Sequence, residues 1–183
     1  GDRIAIMKDG AFVQVGTAQE IVSEPADDYV RAFVSDIDRS RVFKVSDISS
    51  DAAWVKVDAT ARDALRVMDK AKTDLAYVVE RGVPVGLLMR SDALQCPRET
   101  PVREVMFAEP PTVSEQAYLN EVYSAAQGGV PMAVTDDDGK LVGVVSQDQI
   151  FEQLAADPEE PETETEDPEA EKNKPAAGQP ASE

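Results

Sequence analysis

Residues 76–92 read AYVVERGVPVGLLMRSD and residues 133–149 read AVTDDDGKLVGVVSQDQ, one pattern repeated 57 positions later. Ala76-Tyr77-Val78 falls on Ala133-Val134-Thr135, and Val85-Gly86-Leu87-Leu88 on Val142-Gly143-Val144-Val145. Between them, Glu80-Arg81-Gly82 falls near Asp137-Asp138-Gly139, turn chemistry that joins neighbouring strands. Upstream, Ala61, Ala64, Leu65 and Met68 recur at helical spacing, as do Ala117, Val122, Ala125 and Ala126. Leu65 and Val122 stand at the same offset. Each unit therefore predicts short strand, helix, strand, tight turn, strand and short helix, the last helices starting near Ser91-Asp92 and Gln147-Asp148. One unit of about 50 residues is a marginal fold, whereas two packed together bury a shared face. The duplication predicts a pseudo-two-fold pair with clefts between its halves.

Before the repeat, Ile4-Ala5-Ile6-Met7, the turn Lys8-Asp9-Gly10 and Ala11-Phe12-Val13-Gln14-Val15 predict a hairpin. Thr17 with Glu20 fits a capping box, and Pro25 separates that helix from a second carrying Tyr29, Val30, Phe33 and Val34. A hairpin and two short helices cannot close a core alone. A chain that opens on a strand reads as the tail end of a larger domain. The expected divisions are 1–38 for this remnant, 39–53 for a Ser- and Asp-rich linker, 54–98 and 99–156 for the units, and 157–183 for a tail.

That tail holds ten acidic residues and two lysines, and alanine is its only apolar residue type. It cannot bury enough surface to offset the entropy of ordering, so a disordered acidic segment is expected. Over all 183 residues, 36 Asp and Glu against 18 Lys and Arg leave a net charge of −18. Such a surface repels phosphate backbones, which disfavours nucleic acid as a partner. With no histidine, imidazole triads and His metal sites are excluded, and the single Cys96 excludes an intramolecular disulfide. No apolar run approaches the roughly 20 residues that span a bilayer. The start, Gly1-Asp2-Arg3, shows neither an initiator Met nor a signal-peptide pattern, and a cytoplasmic chain is expected.

The two strand–Gly–strand–helix endings, with Val102-Arg103-Glu104-Val105-Met106 ahead of the second unit, resemble a tandem pair of cystathionine-β-synthase (CBS) domains. Residues 2–10 and Val13-Gln14-Val15-Gly16 resemble the close of an ABC-transporter ATPase domain. Glu20-Ile21-Val22 through Pro25-Ala26-Asp27-Asp28-Tyr29-Val30-Arg31 to Phe33 resembles the glycine betaine/L-proline ATP-binding subunits. The resemblance implies an α/β (α+β) fold: two β-α-β-β-α units, preceded by the hairpin-plus-helices remnant and followed by the acidic tail. It also implies a homodimer, transmembrane permease subunits as partners through the parent ATPase, and a position at the inner face of the membrane.

CBS pairs in many families bind adenosine-type ligands, so the resemblance implies an adenine nucleotide (cyclic di-AMP, AMP or ATP) as the candidate ligand, with no cofactor fixed by the sequence. The usual ending places Gly, two apolar residues, Ser or Thr, two residues and Asp. The first unit, Gly86-Leu87-Leu88-Met89-Arg90-Ser91-Asp92, keeps the acid but puts Met89 at the hydroxyl position. The second, Gly143-Val144-Val145-Ser146-Gln147-Asp148-Gln149, keeps the hydroxyl but puts Gln149 at the acid position. Asp92 is the candidate for ribose and Ser146 for phosphate, against plain helix capping for both. Arg90 could add charge, and the strand starts Leu75-Ala76 and Pro131-Met132 would flank the base unless they are simply core.

No G-x-x-x-x-G-K-[ST] loop occurs, and Gln127-Gly128-Gly129 lacks the Leu-Ser of an ABC signature. No catalytic residue is expected, and the segment alone is not expected to hydrolyse ATP. Asp136-Asp137-Asp138-Gly139 reads as a hairpin turn rather than a calcium loop, so no metal is expected. The expected function is regulation of an osmoprotectant importer's ATPase by a nucleotide or by ionic strength; the alternative is a ligand-free dimerisation scaffold.

Overall fold

The computed structural model describes residues 3–126 and 128–155; the acidic segment 157–183 lies outside the described residues. The chain opens with the expected hairpin, β1 (Ile4–Lys8) antiparallel to β2 (Ala11–Gly16). Helix α1 (Ala18–Ser23) starts at a true capping box: Thr17 Oγ1 accepts from Glu20 N, and Glu20 Oε2 accepts from Thr17 N at 2.8 Å. Helix α2 (Asp28–Val34) is capped by Asp27, whose carboxylate accepts from Val30 N.

The stretch expected as a linker is folded against the second unit. A 3₁₀ turn at Arg39–Arg41 leads to α3 (Val45–Ile48). Val45 N donates to the Ala117 carbonyl and Leu119 N to that of Phe43. Phe43 and Val45 are buried side chains, so this segment carries core residues that its Ser and Asp content concealed.

The first unit comprises β3 (Trp54–Lys56), α4 (Ala61–Ala71), β4 (Leu75–Glu80), β5 (Val83–Met89) and α5 (Arg90–Gln95). A short strand β6 (Phe107–Ala108) follows. The second unit comprises β7 (Thr112–Ser114), α6 (Leu119–Ala126), β8 (Met132–Thr135), β9 (Leu141–Val145) and α7 (Gln147–Ala155). In each, the first strand runs parallel to the next across a helical crossover, and a tight hairpin supplies the third. The element order read from the repeat is the order observed.

The units exchange their leading segments. Strand β6 pairs with β5 through Leu87↔Phe107, and Ser50 pairs with Val144 on β9. These pairs are related by the repeat offset of 57 residues. The exchange explains the repeat's glycines. A Cβ on Gly86 would lie 2.3 Å from Met106 Sδ and 3.1 Å from the Phe107 carbonyl oxygen, and one on Gly143 would lie 3.0 Å from that of Ser50. Both positions need glycine because an exchanged strand passes over them.

Three apolar clusters hold the molecule. Val55, Ala64, Leu65, Met68, Val78 and Leu88 lie in the first unit's core. Tyr77, Val79, Leu87 and Ala133 are buried between the units. In the third, Leu119, Val134, Val145 and Ile150 of the second unit are continuous with Ile6, Ile21, Val22, Val30 and Val34. The hairpin and helices α1 and α2 therefore close their core on the second unit. Arg39 reinforces that junction: its guanidinium donates to the Val22 carbonyl of α1 and the Gln153 carbonyl of α7, and sits 4.9 Å from the Phe43 ring centre.

Candidate functional site

Two clefts lie between the units, and their linings correspond through the repeat. One, of about 330 Å³, is lined by Thr73 and Leu75 from the first unit, Pro131, Ser146 and Gln149 from the second, and the exchanged residue Ser50. The other, of about 480 Å³, is lined by Leu87, Met89, Phe107, Pro110, Ala125 and Val130. Where the first cleft has Ser146, Ser50 and Thr73, the second has Met89, Phe107 and Val130. The first cleft, hereafter the polar cleft, is the more polar of the two.

Ser146 sits at the start of α7. Its Oγ accepts from Gln149 N at 3.2 Å, and Gln149 Oε1 accepts from Ser146 N at 2.8 Å, a reciprocal cap. Gln149 Nε2 also donates to the Ile48 carbonyl at 3.0 Å. The Gln at the acid position thus ties the helix start to the exchanged segment. The Ser146 hydroxyl hydrogen stays available to an acceptor in the cleft.

Asp92 occupies the corresponding place in the first turn of α5, half-buried, and has no hydrogen bond or ion pair with the described residues. It is not among the residues lining either cleft, so Asp92 and Ser146 do not share one. Arg90 is engaged within its own unit. It donates to Asp74 and Asp69 carboxylate oxygens at 2.7 Å each, and to the Thr73 carbonyl at 3.0 Å. The Asp69 and Asp74 carboxylates push its pKa further up. Its role is to clamp the α4–β4 loop, which places Thr73 at the polar cleft.

Ala76 and Met132 are buried in the cores of their units. Strand alternation makes this necessary: Leu75 and Pro131, one residue earlier, face the cleft. Ser50 and Asp51 reach the cleft through the exchange of leading segments and Thr73 through the α4–β4 loop, and no motif in the sequence marks any of the three. Tyr77 supports the polar cleft from beneath, its Oη donating to the Pro131 carbonyl at 2.7 Å. Burial pushes its phenol pKa well up, so it stays a neutral donor.

The Asp136 turn is used by its own backbone, with Asp136 Oδ1 accepting from Asp138 N and Lys140 N. Among the described residues no group of three acidic or Cys side chains is placed to hold a metal, and no helix is long and apolar enough to cross a membrane.

The family model described as the CBS domain matches residues 45–99 and 102–156. The chain belongs to the CBS-domain family. The chain is similar to the glycine betaine transport ATP-binding protein OpuAA of Bacillus subtilis, at 33% identity over 162 residues covering 87% of this chain and 39% of that one. The chain spans about 40% of the length of the curated relatives it matches. Among solved structures, Staphylococcus aureus OpuCA matches with a TM-score of 0.53 at 23% identity, over 58% of this chain and 94% of that one. Arabidopsis thaliana CBSX2 in complex with AMP matches with a TM-score of 0.52 at 20% identity, over 60% and 93% respectively. These structural likenesses establish the CBS fold; the ligand chemistry must come from this chain's own clefts.

Proposed function

We propose that this chain is the regulatory, CBS-bearing portion of the ATP-binding subunit of an osmoprotectant (glycine betaine/proline) ABC importer. The full subunit is then an ATPase that works with transmembrane permease subunits at the inner face of the membrane, and this portion modulates its turnover as a homodimer. The observation that carries the reading is the shared core: Ile21, Val22, Val30 and Val34 of the ATPase-like remnant pack with Leu119, Val145 and Ile150 of the second CBS unit. A change in the pair's packing has a continuous apolar path to the remnant.

The signal we propose is an adenine nucleotide in the polar cleft; the structural neighbour CBSX2 is known in complex with AMP. Leu75 and Pro131 supply apolar contact for a base, and the Ser146 hydroxyl supplies a donor for phosphate. A ligand shifts the pair only by the difference in its affinity for two arrangements, and residues from both units lining one cleft provide such a difference. Ionic strength is a second input for this reading, because screening changes the reach of a charge of −18.

A ligand-free dimerisation scaffold is the competing reading, favoured by the reciprocal cap that already engages Ser146 and Gln149. Thermal-shift titrations with cyclic di-AMP, AMP, ADP and ATP, at low and high salt, separate the two. Stabilisation by one nucleotide that Ser146→Ala removes and Asp92→Ala leaves intact supports the polar-cleft reading. A salt-insensitive dimer that no nucleotide stabilises supports the scaffold.

A further inference from the structure

A third groove, of about 660 Å³, lies at the hairpin-turn end of the first unit, away from both inter-unit clefts. Trp54, the only tryptophan in the chain, forms part of its wall and is 48% exposed. Val55 points into the core, so Trp54 and Lys56 share the opposite, solvent-facing side of β3. Arg81 comes from the β4–β5 turn, where it and Gly82 have φ of 54° and 92°, the backbone of a two-residue hairpin. Arg103 comes from the 3₁₀ turn Val102–Glu104. Leu141 closes the far side, its amide donating to the Gly82 carbonyl at 2.8 Å.

The charge here runs against the rest of the molecule. Among the described residues, Lys56, Lys70, Lys72, Arg81, Arg98 and Arg103 are the cations whose side chains make no hydrogen bond, ion pair or ring contact. Lys56, Arg81 and Arg103 meet at this one groove. In a chain of net charge −18, three cations without an ion pair outnumber Asp58 and Glu80 around an exposed indole, so the groove's lining is locally positive and attracts anions. Asp58 and Glu80 also border the groove, and as acceptors they suit hydroxyl donors rather than phosphate.

We propose that this groove binds a nucleoside phosphate. The base stacks on Trp54, the phosphates meet Lys56, Arg81 and Arg103, and sugar hydroxyls donate to Asp58 or Glu80. Stacking on an indole tolerates any base, so the site selects for phosphate and a planar ring rather than for adenine. The cavity is of ordinary size for a small-molecule site. It is separate from the Ser146 cleft and stands or falls independently of the nucleotide proposed there.

Trp54 is its own reporter. In the whole chain, ATP and GTP are expected to quench Trp54 fluorescence saturably, more weakly as salt rises. The double variant Lys56→Gln/Arg103→Gln weakens binding by about tenfold or more through loss of charge-assisted contacts. Ser146→Ala leaves it unchanged. Pyrophosphate competes but binds more weakly than ATP, because it lacks a ring to stack. The proposal is overturned if neither nucleotide quenches at about 5 mM. It is equally overturned if the double variant binds normally, if Ser146→Ala abolishes the quench, or if pyrophosphate binds as tightly as ATP. Circular dichroism of the double variant matching the parent assigns its loss of binding to the removed charges, since both side chains are exposed.

Discussion

The Tyr77 hydroxyl donates to the Pro131 carbonyl at 2.7 Å, joining the two CBS units beneath the polar cleft. Tyr77 is wholly buried among Val79, Leu87 and Ala133, so the bond is shielded from water and the carbonyl has a fixed partner. Tyr77→Phe keeps the ring but strands that carbonyl. It should lower unfolding stability by about 1–2 kcal/mol, and Tyr77→Ala by about 3–5 kcal/mol, in urea titrations. A Tyr77→Phe variant as stable as the parent would remove this bond from the account of how the units hold together.

The glycines of the repeat make a second test. Gly86→Ala drives a methyl against Met106 Sδ, the end of a flexible chain, and towards the Phe107 carbonyl. We expect a loss of about 1–3 kcal/mol, typical of overpacking. Combining it with Met106→Ala should cost less than the sum of the single changes, because the Met removed is the one displaced. Strict additivity would contradict the exchanged-strand packing.

Arg90→Gln tests the loop clamp. Releasing Asp69, Asp74 and the Thr73 carbonyl should lower the melting temperature and loosen the α4–β4 loop, read as faster amide exchange at Thr73 and Asp74. If Arg90 instead served a phosphate, its replacement would weaken nucleotide binding and leave the melting temperature of the free protein unchanged.

Acid stability has a defined contributor at the start of α4. Asp63 accepts from the Thr60 hydroxyl at 2.8 Å and from the Thr60 amide, bonds that hold its pKa below the usual 3.8. A depressed carboxylate pKa gives stability that is full above the unfolded value and is lost as pH falls through the folded one. Thermal unfolding between about pH 5 and pH 2 should therefore show a steeper decline in the parent than in Asp63→Asn. Equal slopes would mean that the cap contributes nothing.

The fold was legible because the repeat carries its own register. Gly86 and Gly143 fix one alignment, and Ala61, Leu65 and Met68 mark the buried face of a helix whichever units are compared. The site was less legible. Ala76 and Met132 stand at the strand starts, but a period of two turns them into the core and hands the cleft to Leu75 and Pro131. Arg90 is basic and near the motif, yet Asp69 and Asp74 lie closer in space than the sequence suggests. Ser50 reaches the cleft only through strand exchange, which hydrophobic patterning does not encode.

The junction of helices α1 and α2 with the second CBS unit is the physical route that the proposed regulation requires. Hydrogen exchange measured along the whole chain with and without saturating AMP tests it most directly. The account predicts that AMP slows exchange at the amides of α7 and also of α1, around Ile21 and Val22, and that Ser146→Ala abolishes both effects. Bound AMP that changes exchange only around the cleft and leaves α1 untouched would contradict it.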